Sequence, residues 1–167
     1  DHPVAVRVAS GGEGRIRNVT RTVNEKTKKL RNEIVADDIR DLNGFFQMSA
    51  PDGGYRVVII DDADLMNVTA ANALLKMLEE PPARAVLILI SHQPSGLLPT
   101  IRSRCRTLAL RTLDPAEVAE AMAQADVQAA NTEALAALSG GSVGGAMRLS
   151  LLGGAAMYAE LVGLMGT

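Results

Sequence analysis

The stretch Val57-Val58-Ile59-Ile60-Asp61-Asp62-Ala63-Asp64 joins four β-branched residues in a row to three acids in the next four positions. A β-branched run with no polar alternation predicts a strand buried on both faces, as in a parallel sheet. Ligands of open α/β sheets bind at the carboxyl ends of such strands. Asp61 therefore stands where a hydrated Mg²⁺ on a nucleotide would be held, since Mg²⁺ favours one or two carboxylates together with phosphates and waters. The plainer alternative is that Asp61, Asp62 and Asp64 solubilise the strand end and cap the following helix. Capping needs only one acid, however, and three so close together repel one another.

The elements on either side fit an α/β reading. After Asn67, Ala71, Leu74, Leu75 and Leu78 recur at helical spacing until Pro81-Pro82 stops the helix. Ala85 to Ser91 predicts a second fully apolar strand, Ser95 to Ser103 a short helix broken near Pro99, and Thr107 to Leu110 a third strand. Upstream, Val35, Ile39, Leu42 and Phe46 share one helical face, with Asp37 or Asp38 placed to favour its positive end. Val4 to Ala9 alternates and predicts a further short strand ending at Gly11-Gly12. Strands alternating with helices predict a parallel sheet.

From Asp114 onward the pattern is wholly helical. Asp114-Pro115-Ala116-Glu117 supplies an N-cap, proline at the first helical position and an acid at the third. Thr132 opens a second helix ending at Gly140-Gly141, Ser142 a third ending at Gly153-Gly154, and Tyr158, Leu161, Val162 and Met165 stripe a fourth. None is long enough to fold alone, so a small bundle is expected. Two domains follow, residues 1–112 and 113–167. Charge divides in the same place: Lys and Arg exceed Asp and Glu by 16 to 13 up to Thr112, whereas six acids and only Arg148 lie beyond it.

Composition narrows the function classes. The 167 residues are 47% hydrophobic but only 2% aromatic (Phe45, Phe46, Tyr55, Tyr158), so the core must be aliphatic, and the composition argues against stacking platforms for single-stranded nucleic acid. One cysteine, Cys105, with His2 and His92 as the sole histidines, excludes a disulfide framework and a tetrahedral Cys/His zinc site. A reducing, cytoplasmic setting is expected. The longest apolar run, Ala85 to Ile90, is far short of the roughly 20 residues of a membrane helix, and no signal-peptide pattern opens the chain. The chain begins at Asp1 and not at Met, and so reads as a piece of a longer protein.

Several other residues carry two readings each. Gly11 to Glu33 holds seven basic residues against three acids: a phosphate-binding patch, or more simply a solvated excursion. Glu79 and Glu80 end a helix, where the macrodipole disfavours anions, and this points to solvent exposure or a partner surface. Arg102, Arg104 and Arg106 alternate around Cys105; an arginine here either pairs with an acid of its own chain or reaches a neighbouring subunit's phosphate. Cys105, between two arginines, reads as a small packing residue, and His92 as a surface or loop residue without an evident partner.

Taken in order, the acidic strand end, Ala70-Ala71-Asn72-Ala73-Leu74-Leu75-Lys76-Met77-Leu78-Glu79-Glu80-Pro81-Pro82 and Leu97-Leu98-Pro99-Thr100-Ile101-Arg102-Ser103-Arg104-Cys105 strongly resemble bacterial DNA polymerase III clamp-loader subunits of the AAA+ class, the delta prime family above all. The likeness runs from about residue 34 to 150, and Asn24-Glu25-Lys26 with Lys29-Leu30-Arg31 looks like an insertion found in some of that family. The resemblance implies a truncated AAA+ parallel-sheet domain followed by a helical lid domain. It also implies that Asp61 is the Walker B aspartate, that Asp62 stands in place of a catalytic glutamate, and that Ser91 or His92 is at sensor 1. Arg104, within Ser103-Arg104-Cys105, matches an arginine finger acting in trans. Gly141-Ser142-Val143-Gly144 resembles the sensor 2 turn, with Gly144 at the arginine position and Arg148 one helical turn later.

The sequence also departs from that family. It holds no GxxxxGK[ST] phosphate loop and lacks the four cysteines of the family's zinc module. Asp62 is shorter than the glutamate it replaces. No ATPase activity, cofactor or bound metal is expected of this stretch, and a Mg–ATP site using Asp61 is left open for a longer chain. The resemblance implies a stator subunit that helps place the sliding clamp on primed DNA, with other clamp-loader subunits as partners and no membrane. The alternatives are an ATP-hydrolysing motor subunit cut before its Walker B region, and a stand-alone Mg²⁺-dependent phosphotransferase using Asp61 and Asp62.

Overall fold

A computed structural model describes residues 3–10, 12–48, 54–127 and 131–165. The chain divides into two compact units, Asp1–Thr107 and Leu108–Thr167.

The first unit is built on three parallel strands, β1 (Ile16–Val19), β2 (Arg56–Ile60) and β3 (Ala85–Leu89), in the order β1-β2-β3. Val19 pairs with Ile60, and Ile60 in turn with Leu89, so the carboxyl ends of all three strands lie level. After α1 (Pro3–Ala9), the crossover helices are α2 (Ala36–Gln47) and α3 (Val68–Glu79), and α4 (Pro99–Arg102) follows β3. Both crossovers step in the same direction along the sheet. Because such connections share one hand, their helices fall on one face.

That face is the core. Val58 and Ile60 point into it, with Ile39, Leu42 and Phe45 from α2, Ala71, Leu74 and Met77 from α3, and Ile101 from α4. The other face bears Val57 and Ile59, half-buried, and Val86 and Ile88, which are 38% and 44% exposed. The burial on both faces expected of Val57 to Ile60 and Ala85 to Ser91 is therefore not met: β2 is buried on the helix face alone, and β3 is only half-buried there and exposed on the other. The starts of the two crossover helices are locally encoded. The Asn67 side chain accepts the Ala70 N–H at 2.9 Å, and Asp38 accepts the Val35 N–H at 3.0 Å.

Two predicted strands also need correction. Val4 to Ala9 lies in the helix α1 and not in a strand; Pro3 suits a helix start, and a helix satisfies its backbone without a neighbouring edge. The sheet's first strand is instead Ile16-Arg17-Asn18-Val19, inside the basic segment, where only two apolar residues mark it. Thr107 to Leu110 forms no strand among the described residues, and Leu108 and Leu110 stand 84% and 88% exposed. The basic insertion itself turns back on Asn24, whose side chain accepts the Lys26 and Thr27 N–H groups, and a Val23–Leu30 bridge closes the hairpin.

The second unit holds α5 (Pro115–Gln124), α6 (Thr132–Leu138), α7 (Val143–Leu151) and α8 (Gly154–Met165). Asp114 and Glu117 form a reciprocal capping box, each side chain accepting the other's backbone N–H at 2.9 Å. Asn131 and Ser142 cap α6 and α7. Val118, Met122, Leu135, Ala136 and Ala146 make a small core. The stripe expected to bury α8 does not: Tyr158, Leu161 and Val162 are exposed, and α8 joins the core through Ala155.

Candidate functional site

The sheet's carboxyl edge gathers the acidic run. The Asp61 N–H donates to the Val19 carbonyl at 2.9 Å, tying the end of β2 to β1, and the Ala63 N–H donates to the Ile90 carbonyl at 2.8 Å, tying it to the chain leaving β3. Between these ties Asp62 takes a left-handed conformation, φ 57°, which turns the chain sharply and throws two carboxylates outward. The Asp62 N–H donates to Asp61 Oδ1 at 3.0 Å.

Asp61, Asp62 and His92 each offer one ligand atom, and those atoms lie within 4.8 Å of one another. Asp62 is already flanked by cations or potential cations: Arg21 Nη2 is 3.6 Å from Oδ2, and His92 Nε2 is 3.4 Å from Oδ1. Asp61 is exposed and makes no ion pair among the described residues. His92 thus has a partner that its sequence position did not reveal, because β3 carries it across to the end of β2. Arg21 was equally hidden, two residues beyond a strand that the pattern did not disclose.

Asp64 plays a different part from its two neighbours. Its Oδ1 accepts the His92 N–H at 3.0 Å and so fixes the loop after β3. Burial works against its charge, but hydrogen bonds from its own backbone and from His92 outweigh that and hold its carboxyl below the ordinary aspartate value. Ser91 turns its hydroxyl inward, where it is buried without a full hydrogen bond among the described residues.

A Mg–nucleotide fits this edge only in part. Asp61 would be the carboxylate left to hold the ion, since Asp62 is shared with Arg21 and His92.

Arg104 lies just past α4, in the same unit. Its side chain is 36% exposed; Nη1 donates to the Thr100 carbonyl at 2.9 Å, and Nη2 meets Glu79 Oε1 at 2.7 Å. Its guanidinium is thus neither buried nor free: it sits at the surface, paired with a carboxylate of its own chain. Cys105 beside it packs against the core, and burial pushes its thiol pKa up, as a packing residue requires.

A parallel sheet with its helices, acids at the end of the central strand and a helical unit following define a chain of the AAA+ class. Two solved structures share the fold: a DNA polymerase III gamma subunit-related protein of Thermotoga maritima (TM-score 0.54, 27% identity, 74% of this chain and 43% of that one) and a point mutant of RuvB from the same species (TM-score 0.56, 19% identity, 88% and 48%). The family model described as DNA polymerase III, delta subunit matches residues 9–114. The chain belongs to the DNA polymerase III delta prime family. DNA polymerase III subunit delta' of Pseudomonas aeruginosa is 52% identical over 118 residues, 70% of this chain and 36% of that protein. The Escherichia coli subunit is 40% identical over 124 residues, 73% and 37%. The chain thus spans about a third of the length of these relatives.

Proposed function

We propose that this chain is the nucleotide-binding-like and helical-lid portion, residues 1–112 and 113–167, of a clamp-loader stator subunit of the replicative DNA polymerase III holoenzyme. In this role it works in the cytoplasm with the motor and clamp-opening subunits to place a sliding clamp on primed DNA. No helix among the described residues is long and apolar enough to cross a membrane. Arg104 is the finger offered to ATP held by the adjacent motor subunit, and Asp61, Asp62 and Ser91 are inherited Walker B and sensor 1 positions.

The observation that carries this reading is the placement of Arg104. A guanidinium at the surface, held by a carbonyl and one exposed carboxylate, can swing to a partner's phosphate at small cost, because exposed ion pairs are worth at most about 1 kcal/mol. There it would neutralise charge developing on the transferred phosphoryl group, an effect worth roughly 10³ to 10⁵ in rate in other phosphoryl-transfer systems. Asp62, shared between Arg21 and His92, is poorly placed as a free general base, consistent with a subunit that assists hydrolysis without performing it. Replacing Arg104 by Ala in a reconstituted ring should cut DNA-stimulated ATP turnover while the variant subunit still assembles; unchanged turnover would remove the finger assignment.

The second reading, an ATP-hydrolysing motor subunit, is favoured by the exposed Asp61 at the end of the central strand. ATP turnover by the purified full-length subunit alone would establish it and displace the stator.

A further inference from the structure

Glu79 closes α3, where unsatisfied carbonyls already carry partial negative charge, so a carboxylate there is disfavoured unless a cation meets it. Arg104 is that cation. Glu79 Oε1 takes Nη2 at 2.7 Å, while Nη1 donates to the Thr100 carbonyl at 2.9 Å and to Ser103 Oγ at 3.5 Å. Acceptors from the end of α3 and from the α4 segment thus hold both terminal nitrogens of the guanidinium, and Nε makes no hydrogen bond among the described residues. Arg102 and Arg106, the two arginines on either side, make no ion pair among the described residues. Within the run, the tether falls on the residue assigned as the finger.

We propose that Glu79 is a positioning residue that keeps Arg104 at rest on its own chain and competes with a neighbouring subunit's triphosphate for it. The inference rests on the finger reading of Arg104. A guanidinium carrying a carboxylate presents no net charge, so it cannot stabilise negative charge growing on a phosphoryl group until Glu79 lets go or is displaced. Polyanionic phosphates in a closed subunit boundary can displace a single exposed carboxylate, whereas a loosely apposed neighbour cannot. The pair therefore makes finger engagement depend on the closing of the boundary. Its strength, that of an exposed pair, corresponds to a bias of about two- to fivefold.

The test uses the reconstituted clamp-loader ring containing the full-length subunit, with ATP turnover measured in the absence and presence of primed DNA. Glu79→Gln should raise DNA-free turnover about two- to fivefold and leave the DNA-saturated rate unchanged. Glu79→Asp, which keeps the charge on a shorter arm, should fall between Gln and the wild type. The double variant with Arg104→Ala should match Arg104→Ala alone, as required if Glu79 acts only through that arginine. DNA-free turnover unchanged or lowered by Glu79→Gln, with Arg104→Ala still impaired, overturns the positioning role and leaves the finger intact. If Arg104→Ala itself has no effect, the finger reading fails, and this inference fails with it.

Discussion

Gly141 and Leu113 are in backbone contact: a Cβ built on Gly141 would fall 2.5 Å from the Leu113 carbonyl oxygen and 3.0 Å from its nitrogen. Gly141 also has φ +80°, in the region that favours glycine, and it follows Gly140 at φ +60°, where the surrounding space is open. The chain entering α5 thus lies directly against the turn that joins α6 to α7. Gly141→Ala should destabilise the helical unit by roughly 2–4 kcal/mol, combining left-handed strain with a clash against backbone that cannot rotate away. Gly140→Ala should cost only about 1 kcal/mol, from conformation alone. Chemical denaturation of the two variants checks the difference; equal losses would mean that close approach contributes nothing.

Acid should weaken both units, through different carboxylates. Arg111 donates two hydrogen bonds to Glu117 and holds its carboxyl at about 2, against an ordinary 4.5; Arg15 and Arg7 hold Glu13 at about 2 in the same way. A depressed folded-state pKa contributes stability that is fully present above about 4.5 and is lost as pH falls toward about 2. Denaturation midpoints followed through that window should drop for the wild type. Glu117→Gln should flatten the drop for the helical unit, and Glu13→Gln for the sheet unit. A wild-type midpoint unchanged between about 4.5 and 2 would contradict both assignments.

What could be read in advance follows from which interactions are local. The central strand showed itself because Val57 to Ile60 carry its burial in their own chemistry, and α5 because Asp114 and Glu117 satisfy each other three residues apart. The strand Ile16–Val19 did not, since an edge strand whose Arg17 and Asn18 are both exposed is defined by its pairing with β2 and not by its composition. The acidic site was legible in its strand-end carboxylates. Arg21 and His92 at Asp62, and Glu79 at Arg104, were not, because each pair is assembled by topology from distant parts of the chain. One trace of the last was visible: an acid at a helix C-terminus calls for a nearby cation.

Asp64 ties the end of β2 to the loop after β3 through the hydrogen bond it accepts from the His92 N–H. Asp64→Ala should cost roughly 1–2 kcal/mol, leaving that N–H without its acceptor. Asp64→Asn keeps an acceptor oxygen and should cost less. Amide exchange at His92 provides the site-specific reading: it should speed up in the Ala variant and change little in the Asn variant.

Cys105 is the chain's sole cysteine, so its reactivity can be assigned without ambiguity. Two arginines flank it in sequence, and neighbouring cations generally lower a thiol pKa. Here burial wins. The side chain packs against the sheet unit's core and its thiol is raised above the ordinary value, so the thiolate is scarce near neutral pH. Alkylation by a maleimide at neutral pH should therefore be slower than for a free cysteine, and should reach the free-thiol rate once denaturant exposes the residue. A rate in the folded protein equal to or above that of a free thiol would show that Arg104 and Arg106 act on the sulfur after all, and that the packing assignment is wrong.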